Sequence, residues 1–285
     1  PQASLTVIDQ STGEVKAIVG GRGDKTASKT LNRATDTTRQ PGSTFKILAA
    51  YSAALDAGGL TLASVQDDAP YTYAGANGKS VNNYDRRYRG FTTLREAITD
   101  SINIVTVKTL AQAGVSLGWQ YVQEYGFTTV DSRDMNEALA LGGITQGVSN
   151  LELTAAYAAI ANQGTYIKPK FYTKILDHDG NVLIDNTTPE SHTVIKDTTA
   201  WLLTSAMEDV MTSGTGTSAY FGSSMAQAGK SGTTTSSRDA LFAGYTPYYT
   251  CAVWGGYDDN AMQKGSDTNY PKRIWKAVMK RIHEN

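Results

Sequence analysis

The chain has 285 residues, 40% of them hydrophobic and 19% charged, which marks a globular chain and excludes a disordered one. A chain of this length buries about 75% of its unfolded surface, so a sizeable core needs no staple. Its 26 Lys and Arg against 27 Asp and Glu leave a net charge of −1, which argues against a nucleic-acid partner, since that usually demands a basic face.

The opening Ala3–Gly21 reads as a hairpin: Leu5, Val7 and Ile8, a turn-rich break at Asp9–Glu14, then alternating Val15, Ala17 and Val19. A polar loop, Arg22–Arg39, leads to Gln40-Pro41-Gly42-Ser43. The spacing then predicts a helix over Thr44–Ala57, with Ser43 at its N-terminus and a Gly58-Gly59 stop. Residues 64–90 are rich in Asn, Gly, Asp and Tyr and read as loop. Helical patterns follow at Thr93–Ser101, Ile104–Ala113, Gly118–Tyr125, Asn136–Leu141 and Leu151–Gln163. Phe171–Leu176 and Asn181–Ile184 flank His178-Asp179-Gly180, a second hairpin signal. After a helix at Lys196–Met211 come strands at Ala226–Thr234, Asp239–Tyr245 and Tyr249–Tyr257, and a closing helix at Pro271–His283. Strands at both ends with helices between predict an α+β fold: one antiparallel sheet assembled from distant segments, with a helical subdomain inserted. No apolar run reaches the roughly 18 residues of a membrane span, and no leader pattern opens the chain. A chain beginning at Pro1 without Met is expected to be part of something longer.

Three short sequences carry the candidate chemistry. Ser43-Thr44-Phe45-Lys46 is the only Ser-x-x-Lys in the chain. Positions i and i+3 of a helix lie about 5–6 Å apart at Cβ, so an amine can take a proton from the serine, a weak nucleophile without a base. A helix N-terminus would favour a developing anion there. Alone, the pair reads better as a capping serine before a solvated lysine. Ser101-Ile102-Asn103 sits between two helical patterns, where a junction can hold both side chains. Its second copy, Ser80-Val81-Asn82, reads as turn chemistry. Lys230-Ser231-Gly232-Thr233-Thr234 lies in a strand, where Gly232 would let a ligand backbone lie close and the cation and hydroxyls could hold a carboxylate. Alone, it reads equally as a charged edge strand.

In this order, Ser-x-x-Lys, Ser-x-Asn and Lys-[Ser/Thr]-Gly together resemble penicillin-binding proteins and serine β-lactamases. The surrounding text is similar to the transpeptidase domain of class A (bifunctional) penicillin-binding proteins: Asn32-Arg33-Ala34 with Arg39–Ser43, Thr93–Ala97, Leu141–Gly143 with Gly147–Ser149, Ala158 with Ala161–Gly164, Gly214-Thr215-Gly216 and Trp254–Asp258. The departures are Ile102 where Asp is usual and Ser231 where Thr is common. The resemblance implies an antiparallel five-stranded sheet flanked by helices with an inserted helical subdomain: a sheet subdomain over about 1–50 and 195–285 and a mostly helical one over about 51–194. It also implies a glycosyltransferase domain and an anchor upstream of this chain, and the extracytoplasmic face of a bacterial membrane.

The activity it implies is acyl transfer on peptidoglycan stem peptides ending in D-Ala-D-Ala, inhibited by β-lactams, with other cell-wall synthesis proteins as possible partners. Ser43 is then the nucleophile and Lys46 its base. Lys230 keeps Lys46 neutral, and Ser101 relays a proton to the leaving amine. Asn103 binds the substrate amide, the hydroxyls of Ser231 and Thr233 hold the terminal carboxylate, and Gly232 between them is counted among the substrate-binding residues. The backbone amides of Ser43 and Thr233 form the oxyanion hole. No metal or organic cofactor is implied. A β-lactamase is the rival enzyme, but Leu141 stands where such enzymes pair an Asn with a Glu like Glu137. A β-lactam sensor domain is the rival outside catalysis.

Other patterns fail on context. Gly114-Val115-Ser116-Leu117-Gly118 imitates a hydrolase elbow but follows a helix, and Ser116 reads better as an N-cap. Gly229-Lys230-Ser231 lacks the first glycine of a phosphate-binding loop, with Ser224 in its place. Gly214–Ala219 follows a helix, unlike a dinucleotide fingerprint. His178, His192 and His283 are scattered too widely for a metal or a Ser-His-Asp triad. The single cysteine, Cys251, excludes an internal disulfide and reads as buried packing.

Overall fold

A computed structural model describes residues 1–74, 78–264 and 268–284. The N-terminal hairpin forms as its alternation predicts, from β1 (Gln2–Asp9) and β2 (Glu14–Val19). Three strands from the other end of the chain complete the sheet: β3 (Ala228–Thr233), β4 (Asp239–Tyr245) and β5 (Tyr249–Gly256). The order is β3-β4-β5-β1-β2 with every neighbour antiparallel. Val7 lies opposite Cys251 in the β1–β5 register, so the fold closes only when the two ends of the chain meet. The expected five-stranded antiparallel sheet with helices inserted between its strands is what the chain forms.

Between β2 and β3 lie α1 (Ser52–Asp56), α2 (Leu94–Thr99), α3 (Asn103–Ala113), α4 (Val115–Glu124), α5 (Asn150–Ala161) and α6 (Asp197–Thr212); α7 (Tyr270–Ile282) follows the sheet. Local sequence sets several starts. Thr93 with Glu96, and Ser149 with Glu152, form capping boxes at α2 and α5, and Pro271 stands in the first turn of α7. Every residue of β4 is buried, because helices cover both faces of the sheet. Leu241, Ala243 and Tyr245 join the main core with Leu153 and Ala156 of α5 and Leu203 and Met207 of α6. Phe242, pointing the other way, packs with Trp275 and Met279 of α7, and Cys251 lies in the same apolar cluster. The Phe242 and Trp275 rings meet edge-on, 5.1 Å between centroids. No helix among the described residues is long and apolar enough to cross a membrane.

Four local expectations are corrected. The single helix expected over Thr44–Ala57 is a 3-10 turn (Gly42–Thr44), a π-helix (Lys46–Tyr51) and then α1. Every residue from Phe45 to Ala54 is fully buried, so packing on all sides decides the local winding. Ser52 N–H reaches back to Ile47 O, the five-residue bond of a π turn. The loop expected over 64–90 contains two small ribbons, Val65–Asp68 with Gly90–Thr93 and Tyr71–Thr72 with Ser80–Val81, too short to show a period. Asn136–Leu141 is a 3-10 helix, Glu137–Leu141, capped by Asn136. Ser116 lies inside α4, and Gly114 is the capping residue of both α3 and α4.

Trp275 is fully buried and its indole N–H donates to Cys251 O at 3.1 Å. Trp275→Ala is expected to lower the unfolding free energy by about 3–5 kcal/mol, read as a fall in the urea midpoint; a midpoint within error of the parent would refute α7 as part of the sheet's core.

Candidate active site

A cleft of about 440 Å³ opens where the three motifs converge, lined by Ser43, Ser101, Asn103, Ser231 and Thr233 together with Tyr84, Thr215, Thr268 and Lys272. A larger hollow, about 600 Å³, lies against Ile160, Trp201 and Leu202 and contains none of the motif residues.

The turn carrying Ser43 is wedged between strand β3 and the loop around Gly142. A Cβ on Gly232 would stand 2.7 Å from Pro41 O and 2.9 Å from Thr44 Cγ2, and one on Gly142 would stand 2.5 Å from Gly42 O. Only glycine permits either approach. The expectation that Gly232 leaves room for a ligand is therefore corrected: the protein's own turn fills that room. The same contact carries the Thr233 backbone alongside Gly42, so the Thr233 amide lies beside the turn that holds the Ser43 amide. Upstream, Arg33 grips Asp258 through two bonds of 2.6 and 2.7 Å. Arg39 lies over the Trp254 ring at 5.0 Å, and its backbone exchanges two 2.9 Å bonds with Val148. The Ser43 hydroxyl makes no hydrogen bond to a described residue.

Lys46 and Lys230 are fully buried and meet at Ser101. Lys46 Nζ donates to Ser101 O at 2.6 Å, Asn103 Oδ1 at 2.6 Å and Ser101 Oγ at 3.1 Å. Lys230 Nζ donates to Ser101 Oγ at 2.8 Å and to Ser231 O at 3.1 Å. Ser101 adopts a left-handed φ of +56°, an uncommon conformation for serine, and it turns both its carbonyl and its hydroxyl onto the amines. Burial, and then the charge of Lys230, hold the Lys46 amine well below the usual lysine range. Burial, and then the charge of Lys272, bring Lys230 down to about 7. Lys230 has no exposed surface, which corrects the reading that its cation could hold a ligand carboxylate.

The wall opposite β3 uses residues that the sequence reading left as loop. Asn103 Nδ2 donates to Asn82 O at 2.7 Å, which fixes the amide with Oδ1 towards Lys46. Asn83 Oδ1 accepts from the amides of Asn103 and Ile104 at 3.0 and 3.2 Å, capping α3. Asn83 is itself held by Asp68, buried, through Nδ2 bonds of 2.8 and 3.0 Å. The Ser80–Asn82 copy, read as turn chemistry, thus supports the motif it imitates. No period or motif marks Asp68 and Asn83; only their Asx-type residue identity hinted at capping. Glu137 accepts from Tyr71 OH at 2.9 Å and Ala74 N at 2.8 Å, so its carboxylate braces the loop.

At the far end, Ser231 Oγ donates to Thr215 Oγ1 at 2.9 Å, and Lys272 Nζ donates to Thr215 O at 3.0 Å. Neither Thr215 nor Lys272 was singled out as a site residue, because their segments are 57 positions apart and meet only in the fold.

The family model described as "Penicillin binding protein transpeptidase domain" matches residues 3–283. Over 298 residues, all of this chain, it is 36% identical to penicillin-binding protein 1A of Clostridium botulinum (strain Langeland), and over 99% of the chain it is 39% identical to penicillin-binding protein 1F of Bacillus subtilis. It spans 35% and 39% of those proteins, little over a third of their length. Among solved structures, penicillin-binding protein 1A from Haemophilus influenzae superposes with a TM-score of 0.84 at 27% identity, covering 100% of this chain and 48% of that one. The PonA1 protein from Mycobacterium tuberculosis in complex with penicillin V gives 0.85 at 25%, covering 99% and 78%.

Two outcomes follow from this geometry. An amine whose folded pKa is depressed binds fewer protons than the unfolded chain between the two values, so stability rises with pH across that interval. The unfolding free energy should therefore climb from about pH 7, where Lys230 titrates, to about pH 9, below tyrosine ionisation. The climb should flatten in Lys230→Met; equal slopes by urea titration would show that the Lys230 amine is unshifted. Asn83→Ala should cost about 1 kcal/mol of stability and slow acylation by a penicillin without removing it. A parent-like acylation rate would show that Asn83 does not position Asn103.

Proposed function

This chain belongs to the transpeptidase domains of class A penicillin-binding proteins, and we propose that it cross-links peptidoglycan by acyl transfer from stem peptides ending in D-Ala-D-Ala, with Ser43 as nucleophile. The observation that carries this reading is the Ser101 hydroxyl held between two buried amines, Lys46 at 3.1 Å and Lys230 at 2.8 Å. Two buried like charges in contact are unfavourable, so one amine gives up its proton. Lys46, whose two shortest contacts are to oxygens that can only accept and which lies one turn from Ser43, is that amine. A neutral amine has two N–H bonds, spent on Ser101 O and Asn103 Oδ1, which can only accept. Its lone pair then faces the Ser101 hydroxyl, 3.1 Å away, and accepts from it until it takes a proton.

In the reaction, the amide of the donor peptide engages Asn103, which frees the Lys46 amine to turn towards Ser43, one turn away. Ser43 Oγ attacks the carbonyl carbon of the penultimate D-Ala, and its proton passes to Lys46. The amides of Ser43 and Thr233 stabilise the oxyanion, an arrangement in which loss of a donor typically costs 10²–10³-fold in rate. The C–N bond breaks as a proton reaches the leaving amine through Ser101, and terminal D-Ala departs. The amine of a second strand then attacks the acyl-enzyme, and the same groups run in reverse. β-Lactams would acylate Ser43 in the first half-reaction. We also propose that the protein containing this chain holds it at the extracytoplasmic face of a membrane, joined to an anchor and a second domain; the family to which the chain belongs, and its span of little over a third of its relatives, support this reading.

A class A β-lactamase uses a Glu with an Asn to activate water for deacylation. Glu137 braces the loop through Tyr71 and Ala74, and Leu141 stands where an Asn partner would be needed.

Exposure to a fluorescent penicillin should give one adduct, on Ser43, lasting minutes to hours, and Ser43→Ala should abolish it with the melting temperature unchanged. An adduct elsewhere, or steady hydrolysis at about 10 per second, a typical enzyme rate, would overturn the assignment. Arginine keeps its charge but cannot act as a base. Lys46→Arg should therefore lose acylation nearly as fully as Ser43→Ala, whereas Lys230→Arg keeps part of the rate. A parent-like rate in Lys46→Arg would remove Lys46 as the base.

A further inference from the structure

Three lysine amines lie in or behind the cleft wall, and among the described residues no carboxylate pairs with them. Lys46 and Lys230 donate only to hydroxyl, carbonyl and amide oxygens, and Lys272 only to a carbonyl. Among the described residues, no carboxylate lies within ion-pair distance of any of the three. A cation kept away from water without a partner is costly, and an anion that arrives there is correspondingly favoured.

The three amines differ in what they can reach. Lys46 and Lys230 have no exposed surface, and Lys230 is committed to Ser101 and Ser231. Lys272 is half-buried and lines the cleft directly. Thr215 holds it in place: the Thr215 carbonyl accepts from Lys272 Nζ, while the Thr215 hydroxyl accepts from Ser231 Oγ. Thr215 is fixed in turn by the backbone, its N–H donating to Thr99 O at 3.3 Å. One clamp therefore sets a half-buried ammonium beside Thr215 and Ser231 in the cleft that Thr233 also lines. Hydroxyl donors converging with an ammonium match a carboxylate.

We propose that Lys272, from the first turn of α7, is the residue that pairs with the free carboxylate of the donor, and so selects carboxylate-terminated peptides and penicillins. This rests on the acyl-transfer reading above. It divides the work of the cations: Lys230 serves Ser101, and Lys272 serves the ligand.

The test compares the second-order acylation rate of a fluorescent penicillin and of its methyl ester, which lacks the anion, on the parent, Lys272→Met and Lys272→Arg. With the free acid, Lys272→Met should be slower by roughly 10- to 100-fold, the worth of one charge-assisted hydrogen bond, and Lys272→Arg should recover most of the rate. With the ester, parent and Lys272→Met should react alike. Added salt should slow the parent on the acid and leave Lys272→Met unaffected. Equal losses on acid and ester would mean that Lys272 supports the fold or the Ser101 pair, and would overturn the assignment, as would a parent-like rate for Lys272→Met. A parent that forms no Ser43 adduct would bring down the acyl-transfer reading and this one with it.

Discussion

Two buried amines that share the Ser101 hydroxyl, with no counter-charge among the described residues, are the constraint around which this molecule is arranged. Lys46 and Lys230 are completely enclosed, and each finds only neutral oxygens. A carboxylate beside them would settle the charge and leave both protonated. Its absence forces the proton count down, and a neutral lysine amine at ordinary pH is a base that solvent alone would not provide. The stability given up there is balanced by the apolar burial around it, where Phe45 to Ala54 have no exposed surface.

Holding those amines in register takes parts from the whole chain. Lys230 comes from the outer strand of the sheet, Lys46 from the buried π turn, and Ser101 from the junction of α2 and α3. Each is backed by something rigid. Strand β3 is locked to β4, the π turn is packed on all sides, and the α2–α3 junction is capped by Asn83 and, behind it, Asp68. Gly232 and Gly142 remove the Cβ atoms that would hold the strand and the loop away from the nucleophile turn. The cleft is therefore a product of close backbone approach as much as of its side chains.

The family-like runs outside the three motifs find a physical explanation in the same framework. Arg33 and Arg39 tie the segment before Ser43 to the end of β5 through Asp258 and Trp254. The run ending at Val148 pairs with Arg39. Arg95, beside the α2 capping box, reaches Asp209 at 2.6 Å on α6. None of these groups lines the cleft; they fix the elements that do.

Much of this was legible along the chain. Alternation marked the opening hairpin, because a residue's neighbours in a strand face opposite sides whatever the rest of the fold does, and the three C-terminal segments also read as strands. Helical spacing marked α2, α5 and α6 for the same local reason. The order Ser-x-x-Lys, Ser-x-Asn, Lys-Ser-Gly named the residues that meet in the cleft, since a spacing of three keeps side chains together without long-range information. What local pattern could not carry was decided by tertiary packing. The π winding of Lys46–Tyr51 answers to burial on every side. Asp68, Asn83, Thr215 and Lys272 come from segments far apart in sequence, so no spacing relates them. Even Gly232, read as space for a ligand, is filled by a turn 190 positions earlier in the chain, because what stands before a glycine depends on which backbone the fold brings against it.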